Sequence, residues 1–225
     1  MSKPVSYRFI QDLLPSPQPK SNSSSPIWSS NLISAEEGDS IFFDVIKHYD
    51  KKRLSTVYDP NGDAINKVDL SARHVHWYDR ILVPSVEPIL VKYTSAVIAG
   101  IKEIWGLDVE SLDLPQILGY EERCVFTTHA DNAILIDGKW VCNDPDRSFT
   151  GILYISGYSK TATKPNTFCG GVLQFQNIQL NENLLKVYPE KGLALAFPSG
   201  PNFMHQVTPI TRGYRIAIVN WWKVK

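Results

Sequence analysis

Residues 120–131 read YEERCVFTTHAD and end in a His-x-Asp pair, His129 and Asp131. The residues before the pair are rich in Val, Phe and Thr, a composition that predicts a strand over residues 124–129. Side chains at positions i and i+2 of a strand point to the same side, so this imidazole and this carboxylate can reach one ion. We therefore take the end of this strand as the centre of a candidate metal site.

Similar short apolar or alternating segments, separated by turn residues, occupy the chain on both sides of this stretch. They predict strands over residues 116–120, 124–129, 133–136, 148–154, 171–176, 193–197, 205–207 and 214–222. A series of short strands with this spacing is typical of a sandwich or a jelly roll. The fold class predicted for this part of the chain is therefore mainly β.

The part of the chain before residue 107 has a helical pattern. Ser34 and Glu37 fit a capping box that begins a helix over 35–51, and a second apolar helical pattern over 78–105 ends at Gly106. Between them, Asn61-Gly62 lies between alternating segments and predicts a β-hairpin. The Ser- and Pro-rich residues 15–30 predict an extended arm.

These patterns together predict an α+β chain that is mainly β. We expect an N-terminal arm over residues 1–33 and a single domain over 34–225. Within that domain, residues 34–106 form a helical support and residues 107–225 form the core.

The composition argues against several classes of partner. Lys and Arg together number 23, as do Asp and Glu, so the positive surface that nucleic-acid binding usually needs is absent. The most apolar long stretch, residues 81–105, is interrupted by charges and prolines and does not predict a membrane span. The first residues do not resemble a signal peptide, and the three cysteines form no CxxC pair. We therefore expect a cytoplasmic protein with no nucleic-acid or membrane partner.

A third candidate ligand, His205, lies on its own predicted strand, and Arg215 follows on the next one. Two histidines and one carboxylate can occupy one face of an octahedral ion and leave three positions open, which is the arrangement of non-haem Fe(II) oxygenases. Zinc more often takes a closed tetrahedral set. The three residues His129, Asp131 and His205 thus favour iron.

Several motifs in the same order resemble the iron(II) and 2-oxoglutarate-dependent dioxygenases, in the prolyl 4-hydroxylase-like branch. The resemblance runs from about Pro115 to Trp222. It rests on YEERCVFTTHAD (120–131), DRSFTGILYIS (146–156), FCGGVLQF (168–175), YPEKGLALAFPSG (188–200) and HQVTPITRGYRIAIVNWW (205–222). Arg123 stands where the family usually has Gly. The resemblance implies a double-stranded β-helix, a cupin-like jelly roll, supported by the N-terminal helices.

The resemblance also implies the roles of the site residues. His129, Asp131 and His205 would hold Fe(II), and 2-oxoglutarate would chelate the ion as cosubstrate, leaving one position for dioxygen; ascorbate would serve as reductant in vitro. The planar guanidinium of Arg215 would bind the far carboxylate of 2-oxoglutarate through two hydrogen bonds. Tyr154, Thr150 and Tyr120 occupy family positions that contact the cosubstrate, although a packed sheet tyrosine is an equal reading of Tyr120.

The expected reaction is hydroxylation of an unactivated C–H bond, because Asp131 stands where related halogenases have a small residue that admits chloride. By resemblance the leading substrate is a prolyl residue in a peptide or protein. Two alternatives remain at this point, namely hydroxylation of a free amino acid or other small metabolite, and a non-catalytic jelly roll that only binds metal or 2-oxoglutarate. Trp221, Trp140, His74 and His76 are candidate substrate residues, each with a structural alternative.

Overall fold

The computed structural model describes residues 8–9, 17, 27–58, 66–180 and 183–225. Before the long second helix the strands are short: β1 (Arg8–Phe9), β2 (Trp28–Asn31), β3 (Arg53–Leu54), β4 (Val57–Tyr58), β5 (Asn66–Lys67), β6 (Arg73–His74) and β7 (His76–Tyr78). After that helix come β8 (Val109–Ser111), β9 (Gln116–Tyr120), β10 (Val125–His129), β11 (Ala133–Ile136), β12 (Lys139–Cys142), β13 (Phe149–Tyr154), β14 (Gly157–Tyr158), β15 (Thr167–Gly170), β16 (Leu173–Leu180), β17 (Asn183–Val187), β18 (Leu193–Pro198), β19 (His205–Val207), β20 (Ile210–Gly213) and β21 (Arg215–Val224).

Two sheets face each other and form the jelly roll. The larger has the strand order β2-β18-β13-β21-β9-β7-β3, with β8 added beside β21, and the smaller has the order β17-β16-β19-β10-β6. The pairs within them are antiparallel, and neighbouring strands are mostly distant in sequence, as a jelly roll requires. The predicted mainly β jelly roll is confirmed.

The two helices cover the outer face of the larger sheet. Helix α1 (Ala35–Ile46) begins at the predicted capping box, in which the Glu37 amide donates to Ser34 Oγ and the Ser34 amide donates to Glu37 Oε2. Helix α2 (Glu87–Trp105) ends at Gly106 in the left-handed conformation, with φ 75°. None of the helices in the described part of the chain is both long enough and apolar enough to cross a lipid bilayer.

Strand β13 shows how the larger sheet separates two cores. All its residues are buried, and they alternate between two sides. Phe149 and Leu153 belong to the core under the helices, whereas Ile152 and Tyr154 belong to the core between the sheets. Thr150 shares the inward side with Ile152 and Tyr154, because side chains two apart in a strand face the same way. The neighbouring β21 repeats this alternation, so that Arg215 and Trp221 also point inward.

Both predicted helices were too long. Helix α1 ends at Ile46, not at residue 51, and a separate 3-10 helix spans Tyr49–Lys51. Helix α2 begins at Glu87, not at residue 78, and is preceded by 3-10 helices over Arg80–Leu82 and Pro84–Val86. The prolines explain the second difference, because proline disfavours helical conformation in the preceding residue and lacks an N–H donor.

The predicted hairpin is present as the antiparallel pair of β4 and β5. Its Asn61-Gly62 turn lies outside the described residues. Arg123, where the family usually has glycine, adopts a φ of 72°. Its turn therefore has the left-handed conformation that glycine favours, although the residue is not glycine. Arg123 thus adopts the backbone conformation typical of glycine, although it replaces the family's glycine.

Candidate metal centre

Three separate segments bring the predicted ligands together. His129 ends β10, Asp131 lies in the loop after it, and His205 begins the neighbouring β19, directly opposite His129 in the antiparallel register. The Nε2 atoms of His129 and His205 lie 3.6 Å from Asp131 Oδ1 and Oδ2, respectively. One ligand atom from each of the three residues falls within 4.8 Å of the others, which is close enough for a single metal ion.

Backbone hydrogen bonds orient both imidazoles. His129 Nδ1 lies 2.7 Å from the Thr127 carbonyl oxygen, and His205 Nδ1 lies 3.0 Å from the Phe203 carbonyl oxygen. A carbonyl oxygen only accepts, so the proton of each neutral ring is on Nδ1. The Nε2 lone pair of each ring is therefore free and directed toward Asp131. The ring of Phe126 stacks on His129 at 3.5 Å between centroids and fixes its plane.

The electrostatics of the cluster also suit metal binding. Burial and the neighbouring His129 lower the pKa of His205 to about 4, so its ring is neutral near pH 7. Burial by itself would raise the pKa of Asp131, but the two histidines and the Thr150 hydroxyl together lower it below its usual range. Neutral imidazole and ionised carboxylate are the forms that bind metal ions.

Arg215 lies at the inner end of the same cavity. It is 2% exposed, and its Nε and Nη1 atoms have no hydrogen-bond partner among the described residues. Its guanidinium lies 4.4 Å from the ring centroid of Tyr120 and 5.1 Å from that of Tyr154. Burial raises the pKa of Tyr154 to about 12 against the opposing effect of the nearby Arg215. A buried cation that lacks an anion is costly, so this arrangement favours an anionic ligand.

One cavity joins the cluster to Arg215. Its lining includes the three candidate ligands together with Tyr120, Thr150, Trp221 and Arg215. The Thr150 hydroxyl donates to Asp131 Oδ2 at 2.6 Å and thus contacts a ligand of the site. Trp221 stacks under Arg147, whose guanidinium carbon lies 4.0 Å from the indole centroid.

Three of the other predicted substrate residues lie elsewhere. Trp140 is on β12, in a separate three-stranded sheet, and does not line the cavity. His74 and His76 lie on β6 and β7, and neither lines the cavity. His76 is buried, with its Nε2 atom 3.7 Å from Glu121 Oε1. The substrate roles of these three residues stay predictions, and the structure places their side chains outside the lining of this cavity.

Two residues of the site were not predicted. Arg73 lines the cavity, lies over Phe126 at 4.7 Å and is adjacent to His74 in sequence. The alternation of the ARHVHW segment could have indicated that Arg73 and His74 face opposite ways, but not which face meets the cavity. Ser199, in the quoted FPSG segment, contacts Thr150 at 2.7 Å between hydroxyl oxygens. No sequence signal separates this serine from the others.

A sequence profile of the 2OG-Fe(II) oxygenase superfamily matches residues 115–223, the part of the chain that contains all these ligands. This segment is therefore similar to the 2OG-Fe(II) oxygenases. Among curated proteins, the chain is 33% identical to human prolyl 3-hydroxylase 1 over 99 residues, which is 42% of this chain and 12% of that protein. It is 30% identical to a PKHD-type hydroxylase of Synechococcus sp. over 102 residues, which is 45% of this chain and 39% of that protein. The chain thus spans a minor part of the length of these relatives.

Solved structures of the same fold cover most of the chain. A Trichoplax adhaerens prolyl hydroxylase, solved with a peptide fragment of hypoxia inducible factor, aligns with a TM-score of 0.67 at 16% identity and covers 89% of this chain and 84% of its own. A Pseudomonas putida prolyl-4-hydroxylase aligns with a TM-score of 0.62 at 16% identity and covers 89% of this chain and 94% of its own. These similarities extend the oxygenase fold over the N-terminal support as well as the matched segment.

The matched segment contains groups that fit both Fe(II) and 2-oxoglutarate. Two Nε2 lone pairs and a carboxylate provide three ligands on one side, with an open cavity on the other. The buried guanidinium of Arg215, whose Nε and Nη1 atoms lack hydrogen-bond partners among the described residues, provides a positive charge and N–H donors for a carboxylate in that cavity. A dicarboxylate that chelates the metal at one end can therefore be neutralised at the other.

Proposed function

We propose that the chain is an Fe(II)- and 2-oxoglutarate-dependent hydroxylase that acts on an unactivated C–H bond. The observation that carries this proposal is the buried guanidinium of Arg215, whose Nε and Nη1 atoms have no hydrogen-bond partner among the described residues, in the same cavity as the His129, Asp131 and His205 cluster. A binding site for metal alone would not need this cation. A site that binds a metal together with an anionic chelator needs both the ligand cluster and the cation. Arg73 lines the same cavity, and its positive charge further favours an anion with two negative groups.

The roles of the residues follow from their positions. His129, Asp131 and His205 would hold Fe(II), which when bound supplies the activation of dioxygen that the protein itself cannot provide. Arg215 would orient 2-oxoglutarate through its distal carboxylate, with Tyr120 and Tyr154 packed against the guanidinium. The apolar cavity wall, which includes Leu118, Ile152 and Val219, excludes water from the reacting atoms.

A prolyl residue in a peptide or protein is the substrate class that the relatives favour. The relatives are a prolyl 3-hydroxylase and a PKHD-type hydroxylase, and one structural neighbour was solved with a peptide. Trp221 at the cavity wall offers an apolar face against which a pyrrolidine ring could pack. Hydroxylation of a free amino acid or small metabolite is the second candidate, since the same cavity also suits a small molecule. The cytoplasmic location stays a prediction from the sequence.

Two assays separate these candidates. Purified protein with Fe(II), ascorbate and 2-oxoglutarate is tested for succinate release, and prolyl peptides and free amino acids are then screened by mass spectrometry for a gain of one oxygen atom. An oxygen gain on a prolyl peptide that requires 2-oxoglutarate supports the proposal, and a gain only on free amino acids favours the second candidate. The non-catalytic alternative is supported if 2-oxoglutarate binds but no succinate forms with any compound.

A further inference from the structure

The Asp131 carboxylate is held by a chain of two buried hydroxyl groups. Thr150 Oγ1 lies 2.6 Å from Asp131 Oδ2, and Ser199 Oγ lies 2.7 Å from Thr150 Oγ1. Both hydroxyl residues are buried, Thr150 at 1% exposure and Ser199 at 2%. We call Ser199, Thr150 and Asp131 the hydroxyl relay.

The direction of the relay follows from the number of protons. A metal-binding carboxylate only accepts hydrogen bonds, so Thr150 must give its single hydroxyl proton to Asp131 Oδ2. The contact between the two hydroxyl groups then has Ser199 as donor and Thr150 as acceptor. Each member has one possible role, and the relay ends on a specific oxygen of Asp131.

Ser199 also fixes the backbone of Asp131. The Asp131 amide donates to the Ser199 carbonyl oxygen at 2.9 Å, and the Asn132 amide lies 3.3 Å from the same oxygen. The ligand is thus held at its backbone by the carbonyl of Ser199 and at its carboxylate by the Ser199 hydroxyl through Thr150. A change of Ser199 to alanine removes only the second contact, because the carbonyl remains.

We propose that the hydroxyl relay keeps Asp131 a monodentate metal ligand by occupying Oδ2 and leaving Oδ1 for the ion. This inference rests on the proposed function. An octahedral ion with two histidine nitrogens and one carboxylate oxygen has three positions left, of which a chelating 2-oxo acid takes two. A second oxygen from Asp131 would take the last one. Thr150 and Ser199 are therefore positioning residues. They act through Asp131 to keep one coordination position of the metal open, and they do not contact the substrate.

The test counts water molecules on Mn(II), used as an octahedral probe in the absence of 2-oxoglutarate. Electron paramagnetic resonance in ¹⁷O-enriched water is expected to show three bound water molecules in the wild-type protein. Thr150→Val, which replaces the hydroxyl by a methyl group of similar size, is expected to show two. We also expect the Mn(II)-loaded Thr150→Val protein to bind 2-oxoglutarate about ten-fold more weakly, since the second oxygen of Asp131 leaves the chelator only two of the three positions.

Further variants separate the relay from a general effect on folding. Thr150→Ser keeps the donor and is expected to retain three water molecules, and Ser199→Ala is expected to weaken 2-oxoglutarate binding less than Thr150→Val does. Ser156→Ala is the matched control, because Ser156 is a fully buried serine whose hydroxyl instead accepts from the Ile216 amide. If Thr150→Val does not fold, Ser199→Ala and Thr150→Ser decide the question through the 2-oxoglutarate affinity.

The outcomes distinguish this inference from the proposed function. Two water molecules in the wild type, or wild-type water counts and affinities in Thr150→Val and Ser199→Ala alike, overturn the relay and leave the hydroxylase proposal intact. Failure of the wild type to bind Mn(II), or unchanged Mn(II) affinity in His129→Ala, overturns both. A drop in the water count in Thr150→Val, with three water molecules in Thr150→Ser and Ser156→Ala, supports the relay.

Discussion

At the scale of single residues, the three candidate ligands make the simplest prediction. His129→Ala, Asp131→Ala and His205→Ala are each expected to abolish turnover, because each removes one of three metal ligands. The variants are expected to remain folded, since the ligands border a cavity and their loss breaks no strand pairing. Turnover, Mn(II) affinity and thermal unfolding are measured on each. A variant that keeps wild-type Mn(II) affinity and activity is not a ligand.

Arg215 makes a prediction about the cosubstrate. Arg215→Ala is expected to weaken 2-oxoglutarate binding by about 2 to 5 kcal/mol, the cost of losing a buried charged contact, and to leave Mn(II) binding nearly unchanged. Arg215→Lys is expected to rescue part of the loss, because it restores the charge without the planar pair of donors. Isothermal titration of 2-oxoglutarate into Mn(II)-loaded protein measures both effects.

The matched control for this experiment is Arg212→Ala. Arg212 is an exposed arginine on β20, the strand that precedes β21 in the chain, and its loss is expected to have no effect on 2-oxoglutarate binding. The opposite pattern, a loss in Arg212→Ala and none in Arg215→Ala, would place the cosubstrate site at Arg212.

His205 also predicts how stability depends on pH. Burial lowers its pKa to about 4 in the folded protein, against an ordinary value of 6.5. Between these values the unfolded chain binds a proton that the folded chain does not, so acid favours unfolding. The contribution of His205 to the free energy of unfolding is therefore complete above about pH 6.5 and is lost as the pH falls toward 4.

Urea unfolding of metal-free protein at several pH values checks this. The free energy of unfolding of the wild type is expected to fall between pH 6.5 and pH 4, and His205→Gln is expected to show a shallower fall. Burial also lowers the pKa of His76, so part of the dependence should remain in the variant. Equal slopes in the two proteins would contradict a neutral, buried His205.

At the scale of elements, the strands with a clear alternation of apolar and polar residues were the easiest to predict. The alternation in residues 116–120, 133–136 and 205–207 gave strand bounds that agree with the structure. Strand β2 was not predicted, because Ser and Pro dominate the segment before it. Its place in the larger sheet depends on tertiary contacts of Trp28, which local composition does not encode. Likewise, the register that places His129 opposite His205 joins strands far apart in sequence.

The contact between β2 and helix α2 provides a test at this scale. A Cβ atom added to Gly100 would lie 2.3 Å from the indole of Trp28. Gly100→Ala is therefore expected to destabilise the protein by about 1 to 3 kcal/mol through overpacking, although alanine by itself favours a helix over glycine. Thermal unfolding measures the change.

Two further variants identify the cause. Ser95→Ala, at an exposed position of α2, is expected to have little effect. Combining Gly100→Ala with Trp28→Leu should restore part of the stability that Gly100→Ala alone removes, because the smaller side chain makes room for the methyl group. A double variant whose loss equals the sum of the two single losses would mean that β2 does not pack against Gly100.

At the scale of the whole molecule, the resemblance predicted the site more completely than the residues alone could. The candidate metal ligands and Arg215 lie in named motifs, and the structure brings them into one cavity. Arg73, by contrast, comes from the N-terminal support, outside the segment of resemblance, and reaches the cavity only because β6 pairs with β10. A residue whose position depends on pairing between distant parts of the chain has no local signal.

The last prediction concerns the border between the N-terminal support and the core, where β6 pairs with β10. Substrate must approach the cavity past segments at its border, and loops on a rigid scaffold commonly carry recognition. Val68 and Leu70 are exposed in the segment that leads to Arg73, and residues 159–164 form a largely exposed loop rich in Ser, Thr and Lys. We expect trypsin to cut first within 159–164 or near 67–73.

Ligands are expected to change this pattern in a defined order. Mn(II) with 2-oxoglutarate should slow cleavage within the core strands but not in these two segments, because both groups bind inside the cavity. A prolyl peptide identified in the oxygen-gain screen should also protect residues 67–73, since Arg73 lines the cavity that the peptide must enter. Arg215→Ala should lose the effect of 2-oxoglutarate in the same assay. If the peptide protects neither segment, substrate recognition lies elsewhere, and the N-terminal arm before residue 33 becomes the next region to test.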